Sequence, residues 1–159
     1  MKAIDHVAKT FLEDTTEKQK VVINLGAGYD PLPWQCWTRY PEQSKGVKFV
    51  DIDYNDLQMR KREMVKNTTE LNIMLENLTY PSEGDVMLRS DQYMQIGCDL
   101  RDLTKLQKIL SAEFDLENTI VFCTAEVSIA YMDVASSDAL IKFIGTLPEG
   151  EWSHLICYN

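Results

Sequence analysis

The chain has 159 residues, 45% of them hydrophobic and 26% charged, which is enough for one domain with a sizeable core. Its net charge of −9 argues against strong nucleic-acid binding by this stretch alone, because phosphate contacts need clustered Lys and Arg. No apolar run reaches bilayer-spanning length and Met1-Lys2-Ala3 does not lead into a secretory segment, so a cytoplasmic protein without a membrane partner is expected.

In chain order, Ile4, Val7, Ala8, Phe11 and Leu12 form an apolar stripe at helical spacing that should pack on a sheet. After a polar break from Glu13 to Lys20, Val21 to Leu25 reads as the first strand and runs into Gly26-Ala27-Gly28. Asp30-Pro31-Leu32-Pro33-Trp34 starts a helix or tight turn, since proline is tolerated in a first helical turn. Trp34 and Trp37 are expected as core anchors. Val47 to Ile52 is the second strand and leads into Asp53. Asp56 is placed to cap the next helix, with Leu57, Met64, Val65, Thr68, Leu71 and Leu75 on one face. The basic cluster Arg60-Lys61-Arg62 reads as a solvated helix face, with a phosphate-facing role as the alternative.

Asn77 to Gln92 is the least regular stretch, with Pro81, Ser82 and Gly84 marking turns, and is read as a surface loop or lid. Tyr93 to Cys98 is a third strand ending in Asp99-Leu100-Arg101-Asp102, and Leu103, Leu106, Ile109 and Leu110 repeat as a helix. Thr119 to Ala125 is continuously apolar, as expected of a central parallel strand, and Glu126 closes it. A helix from about Ser136 to Leu147 and a last strand, Ser153 to Tyr158, complete the chain. The alternation predicts a doubly wound, mostly parallel α/β layer. An apolar last strand at an uncovered edge points to a longer natural protein.

Four cysteines lack metal-type spacing and His6 and His154 are isolated, so no metal site is expected. Cys98, Cys123 and Cys157 sit in apolar runs, where buried free thiols are expected. No Ser-His-Asp or Cys-His set is evident, and no catalytic residue is assigned. Gly26-Ala27-Gly28 lacks the third glycine of the dinucleotide fingerprint, with Pro31 in its place, which weakens a nicotinamide-cofactor reading.

Asp53, Asp99 and Glu126 each follow a different predicted strand at its C-terminal end, the rim where open α/β sheets bind ligands. An acid after the second strand can accept both ribose hydroxyls of a nucleoside. Asp51 and Asp53 compete for that role because residues two apart share a strand face, and the later one reaches further beyond the strand. Asp99 can take an adenine amino group while Leu100 packs on the ring. Glu126 can hold an ammonium group or lie near a cationic centre. Amides after Gly26 can approach a carboxylate because no side chain intervenes. Tyr131 can line the acceptor side, but packing after the strand is the expected role.

Val22-Ile23-Asn24-Leu25-Gly26-Ala27-Gly28, the segment around Asp53, Gly97-Cys98-Asp99-Leu100-Arg101-Asp102 and Ala125-Glu126-Val127-Ser128-Ile129-Ala130-Tyr131-Met132 together resemble the leucine carboxyl methyltransferase family. The order of these segments agrees as well, and the resemblance covers nearly the whole chain. It implies a Rossmann-like methyltransferase fold, S-adenosylmethionine as cofactor and a carboxylate as methyl acceptor. It also implies cofactor contacts at Gly26, Gly28, Asp53, Asp99, Leu100 and Glu126.

Tyr29-Asp30-Pro31-Leu32-Pro33 and Glu126 to Met132 are most similar to the branch that modifies a guanosine of phenylalanine tRNA in wybutosine biosynthesis, by methylation and methoxycarbonylation. The alternatives are the same chemistry on the C-terminal leucine of a protein phosphatase, or a scaffold domain with a degenerate pocket. The family also has an Arg-Gly-Tyr type segment before the first helix and elements beyond the fifth strand. Residues 1–159 are therefore expected to be a single methyltransferase domain, incomplete at both ends.

Overall fold

The computed structural model describes residues 2–126, 128–147 and 153–158, with side chains described over 6–125 and 128–147. The side chains of Ile4, Glu126, His154, Leu155, Ile156 and Cys157 lie outside the described residues. Helix α1 (Lys2–Glu13) precedes β1 (Gln19–Leu25), α2 (Leu32–Arg39), β2 (Lys48–Asp53), α3 (Asn55–Asn67) and a single turn, α4 (Thr69–Asn72). Then come β3 (Val86–Arg89), β4 (Tyr93–Gly97), α5 (Leu103–Glu113), β5 (Thr119–Glu126), α6 (Val134–Ile144) and β6 (Ser153–Tyr158). The strands form one six-stranded sheet in the order β3-β4-β2-β1-β5-β6. All neighbouring pairs are parallel except β3 with β4.

The chain moves outward from β1 to β2 and β4, then returns to the other side of β1 with β5. This reversal makes a topological switch point at the C-terminal ends of β1 and β5. Helices cover both faces, as the apolar run of β5 anticipates. Leu106, Ile109 and Leu110 of α5 and Leu140 and Ile144 of α6 pack on one face, against Ile23, Ile52, Ile96 and Cys123. Phe11 of α1, Leu32 and Trp34 of α2 and Val65 of α3 pack on the other, against Val22, Phe49, Tyr93 and Phe122. Trp34 and Trp37 are core anchors, edge-on to one another at 5.5 Å, with Tyr93 5.0 Å from Trp34. Local chemistry sets the helix starts: Asp102 accepts from the Lys105 amide at 3.0 Å and Asp133 from Ser136 at 2.9 Å.

Several sequence expectations need correction. Asp56 is not a cap: Tyr54 occupies that position without a side-chain bond, and Asp56 lies in the first turn of α3, where a negative charge suits the helix dipole. The predicted face breaks at Thr68, whose extended backbone separates α3 from α4, and Met64 is exposed. The buried face of α3 is instead Gln58, Lys61 and Val65. Lys61 is therefore not part of a solvated cluster; it is fully buried. The stretch read as an irregular loop contains β3, which returns on β4 as an antiparallel hairpin. Its shortness and shifted register between Val86 and Leu88 suit a sheet edge, where long flat strands invite mispairing.

Gly26 has φ +69° and a Cβ there would fall 2.2 Å from Ser128 Cβ, so this glycine is required twice over. Ser128 approaches because its hydroxyl donates to the Leu25 carbonyl at 2.6 Å, clasping the end of β1 to the segment after β5. Gly28 has φ +47° but nothing within 4 Å of a built Cβ. Gly28→Ala should therefore cost only the left-handed strain, about 1–2 kcal/mol, while Gly26→Ala should cost clearly more because Ser128 must also move. Denaturant unfolding of the two variants checks this. Equal losses would mean that the approach of Ser128 is slack.

Candidate functional site

The parallel register organises one sheet face into rows. Tyr93, Phe49, Val22 and Phe122 form an apolar row across β4, β2, β1 and β5. Two residues further along, Gln95, Asp51, Asn24 and Thr124 form a buried polar row. Two residues beyond that, Gly97 pairs with Asp53 and the strands give way to loops. The competition between Asp51 and Asp53 is resolved by depth. Asp51 is fully buried and accepts at Oδ2 from Lys61 Nζ at 2.6 Å and from the Tyr93 hydroxyl. Burial pushes its carboxyl up, with the Lys61 ammonium pulling against it. Asp51 has no access to a ligand.

Asp53 sits at the rim. Its Oδ2 accepts from the Gly28 amide at 2.8 Å and its Oδ1 from the Tyr54 amide at 2.7 Å. A carboxylate has about four acceptor positions, so roughly two remain, the number a ribose diol needs. Two main-chain donors fix the plane of the group, and side-chain rotation is not left to chance.

Gly26, Gly28 and Asp53 line a cavity of about 360 Å³ together with Tyr54, Leu57, Cys98, Leu100, Ser128, Tyr131 and Met132. Its walls are largely apolar, with one oriented carboxylate, which fits a small molecule that has a flat ring and hydroxyls. Leu100 is buried. Cys98 is a buried thiol whose pKa is pushed up to about 11 by desolvation, so it is an inert wall. Cys123 and Cys36 are buried thiols too.

A larger concavity, about 960 Å³, opens at the opposite rim, lined by Gln19, Lys48 and Thr119 at the N-terminal ends of their strands. Open parallel sheets bind ligands beyond the carboxyl ends, so the smaller cavity is the candidate site.

The glycine loop contributes room rather than donors. Gly26 and Ala27 amides donate to the Ile52 carbonyl at 2.8 and 3.2 Å, and Gly28 donates to Asp53. The sequence reading gave these amides to a ligand carboxylate; the structure gives all three to β2. Asp99 follows β4 but does not line the cavity. Arg101 grips it in a two-pronged ion pair, with Nη2 to Oδ2 at 2.6 Å and Nε to Oδ1 at 2.9 Å. Those hydrogen bonds hold the Asp99 carboxyl below its usual range. Glu126 ends β5, beside β1, and its side chain lies outside the described residues.

Sequence reasoning missed Tyr54, Leu57, Ser128 and Met132. Tyr131 does not pack as expected but is 85% exposed at the cavity mouth, as its alternative role of lining the site requires. Their common signal is position, within a few residues after β2 or β5. Among the described residues, no group of three His, Cys, Asp or Glu side chains could hold a metal, and no helix is long and apolar enough to span a membrane.

With the site in place, comparison with known proteins is informative. Residues 1–145 match the family model described as leucine carboxyl methyltransferase. The chain is 42% identical over 156 residues to tRNA wybutosine-synthesizing protein 4 of Gibberella zeae, covering 96% of this chain and 15% of that protein. It is 37% identical over 148 residues to the protein of that name from Aspergillus oryzae, covering 92% and 14%. Against the Eremothecium gossypii protein it is 36% identical over 158 residues, covering 97% and 22%. The chain thus spans under a quarter of the length of these relatives. A family model that matches residues 1–145 makes this chain a member of the leucine carboxyl methyltransferase family.

Proposed function

We propose that the chain is the cofactor-binding part of an S-adenosylmethionine-dependent carboxyl methyltransferase that acts on phenylalanine tRNA in wybutosine biosynthesis, in the cytoplasm. One observation carries the cofactor reading: Asp53, fixed by the Gly28 and Tyr54 amides, faces an apolar cavity at the switch point of the sheet. The relatives named for wybutosine synthesis support the tRNA acceptor.

In this reading Asp53 accepts both ribose hydroxyls, and Leu57 and Leu100 bracket the adenine ring. Gly26 and Gly28 leave space for the amino-acid portion. Asp99, outside the cavity lining but next in sequence to the lining residue Leu100, is assigned the adenine amino group through acceptor capacity left by Arg101, and Glu126 is assigned the cationic end. When bound, the cofactor supplies a methyl group on a sulfonium that is its own leaving group. The acceptor carboxylate is ionised at neutral pH, so no general base is needed. The protein's task is alignment and exclusion of water. Methoxycarbonylation of the same nucleoside belongs to this reading as a second activity of the whole protein.

Calorimetry on the full-length protein with S-adenosylhomocysteine tests the cofactor site. Asp53→Ala should weaken binding at least about tenfold, since hydrogen bonds to a charged group contribute roughly 1.5–3 kcal/mol. No binding by the intact protein, with Asp53→Ala making no difference, would leave a scaffold with a degenerate pocket; binding that Asp53→Ala leaves unchanged would remove Asp53 as the ribose acid. The acceptor is tested separately, by supplying methyl-labelled cofactor to the full-length protein with either hypomodified tRNA or a phosphatase catalytic subunit. Label is expected in the tRNA. Label in the C-terminal leucine of the phosphatase alone would replace the tRNA reading.

A further inference from the structure

Lys61 is buried in a protein that could have placed a methionine there, and its contacts give a reason. Its ammonium donates to Asp51 Oδ2 at 2.6 Å and to the Asp30 main-chain carbonyl at 2.8 Å. Asp30 ends the glycine loop, and its own carboxylate accepts from Asn24 Nδ2 at 2.9 Å and from the Leu32 amide at 3.1 Å. Asn24 and Asp51 are register partners on β1 and β2. The four residues therefore close a circuit, from β2 through α3 to the loop and back to β1. The Gly28–Asp53 hydrogen bond lies beyond it, with Asp53 two residues past Asp51 at the end of β2 and Gly28 four residues past Asn24 in the loop after β1.

We infer that Lys61 is a positioning residue for the cofactor site: by tying Asp30 to Asp51 it fixes the glycine loop against β2 and so sets the Gly28–Asp53 contact. This rests on the cofactor reading above. Two separate strand ends must keep one geometry for a bound nucleoside, and the 26–30 loop between β1 and α2 has no regular structure of its own to supply it. A buried ion pair is a weak source of stability compared with apolar replacements of the same volume, but it fixes one geometry where an apolar contact tolerates several.

That difference is the basis of the test. In the full-length protein, Lys61→Met leaves Asp51 as an uncompensated charge and should lower stability. The double variant Lys61→Met/Asp51→Asn removes both charges, keeps an acceptor for Tyr93 and should recover most of the lost thermal stability. If Lys61 positions the loop, the double variant still exchanges its 26–32 amide hydrogens roughly tenfold faster than wild type and still binds S-adenosylhomocysteine roughly tenfold more weakly, about one lost hydrogen bond. Recovery of stability together with wild-type exchange and affinity would overturn the inference and leave Asp53 as the ribose acid.

Failure of the wild-type protein to bind S-adenosylhomocysteine would instead overturn the cofactor reading, and loop exchange would still decide what Lys61 does. Should the double variant not fold, Asn24→Ala cuts the same circuit without touching the ion pair. Faster loop exchange and weaker affinity are then expected, and wild-type values for both would overturn the inference.

Discussion

Parallel pairing in register is the constraint from which the site follows. Because β4, β2, β1 and β5 run the same way and are locked residue against residue, a chemical type repeated at one depth becomes a row across the sheet. The face under α1, α2 and α3 uses three depths for three purposes. Tyr93, Phe49, Val22 and Phe122 exclude water, the next row holds buried polar groups, and Asp53 beyond them meets the cavity. A slip of one residue in β2 would send Asp53 to the face of α5 and α6, because side chains alternate strictly along a strand. The same slip would bring Ile52 to the position where the carboxylate is needed. Core packing and site geometry are thus specified by one register.

The buried polar row has its own physics. Removing a carboxylate and an ammonium from water costs several kcal/mol per ion, so such a pair persists only with good geometry and further hydrogen bonds. Asp51 Oδ2 has Lys61 and Tyr93, and Gln95 in turn donates to the Tyr93 hydroxyl at 3.1 Å. Asp51 Oδ1, Gln95 Oε1 and Gln58 are buried without protein partners. Gln95 is a register neighbour of Asp51, and Gln58 lies one turn before Lys61 on the same helix face. Clustered acceptors and donors of this kind are where internal water is found. The interface between α3 and the sheet is therefore polar and specific at the depth just beneath the site, and apolar below that.

Much of this was legible in the residues. Gly26 and Asp53 were readable because a tight turn and a strand-end acid leave marks in sequence that need no tertiary knowledge. The apolar continuity of Thr119 to Ala125 announced a strand covered on both faces. What was hidden depended on depth. Asp51 and Asp53 have the same residue type and the same face, and only the position of α3 tells them apart. Lys61 was masked by its neighbours Arg60 and Arg62, although helical turning of about 100° per residue keeps three consecutive side chains from sharing a surface. Its spacing of four from both Leu57 and Val65 was the available signal, and it outweighs the charge. β3 was hidden for a different reason: four residues at a sheet edge draw their pairing from β4, and an isolated stretch of that length carries little periodicity.

The charge of the chain bears on the tRNA reading proposed above. A net charge of −9 gives this stretch no general attraction for a phosphate backbone, and Lys61, one of its 16 basic side chains, is spent internally. On the tRNA reading proposed above, the phosphates of the tRNA would have to be held by residues other than these. On that reading, cofactor binding would depend on hydrogen bonds and an apolar cavity, which salt screens little, whereas tRNA affinity would depend on counterion release, which salt opposes strongly. The two affinities should therefore separate cleanly with ionic strength. A site built from buried rows and a single oriented carboxylate is suited to that division, since its geometry is set by the sheet and owes nothing to the acceptor.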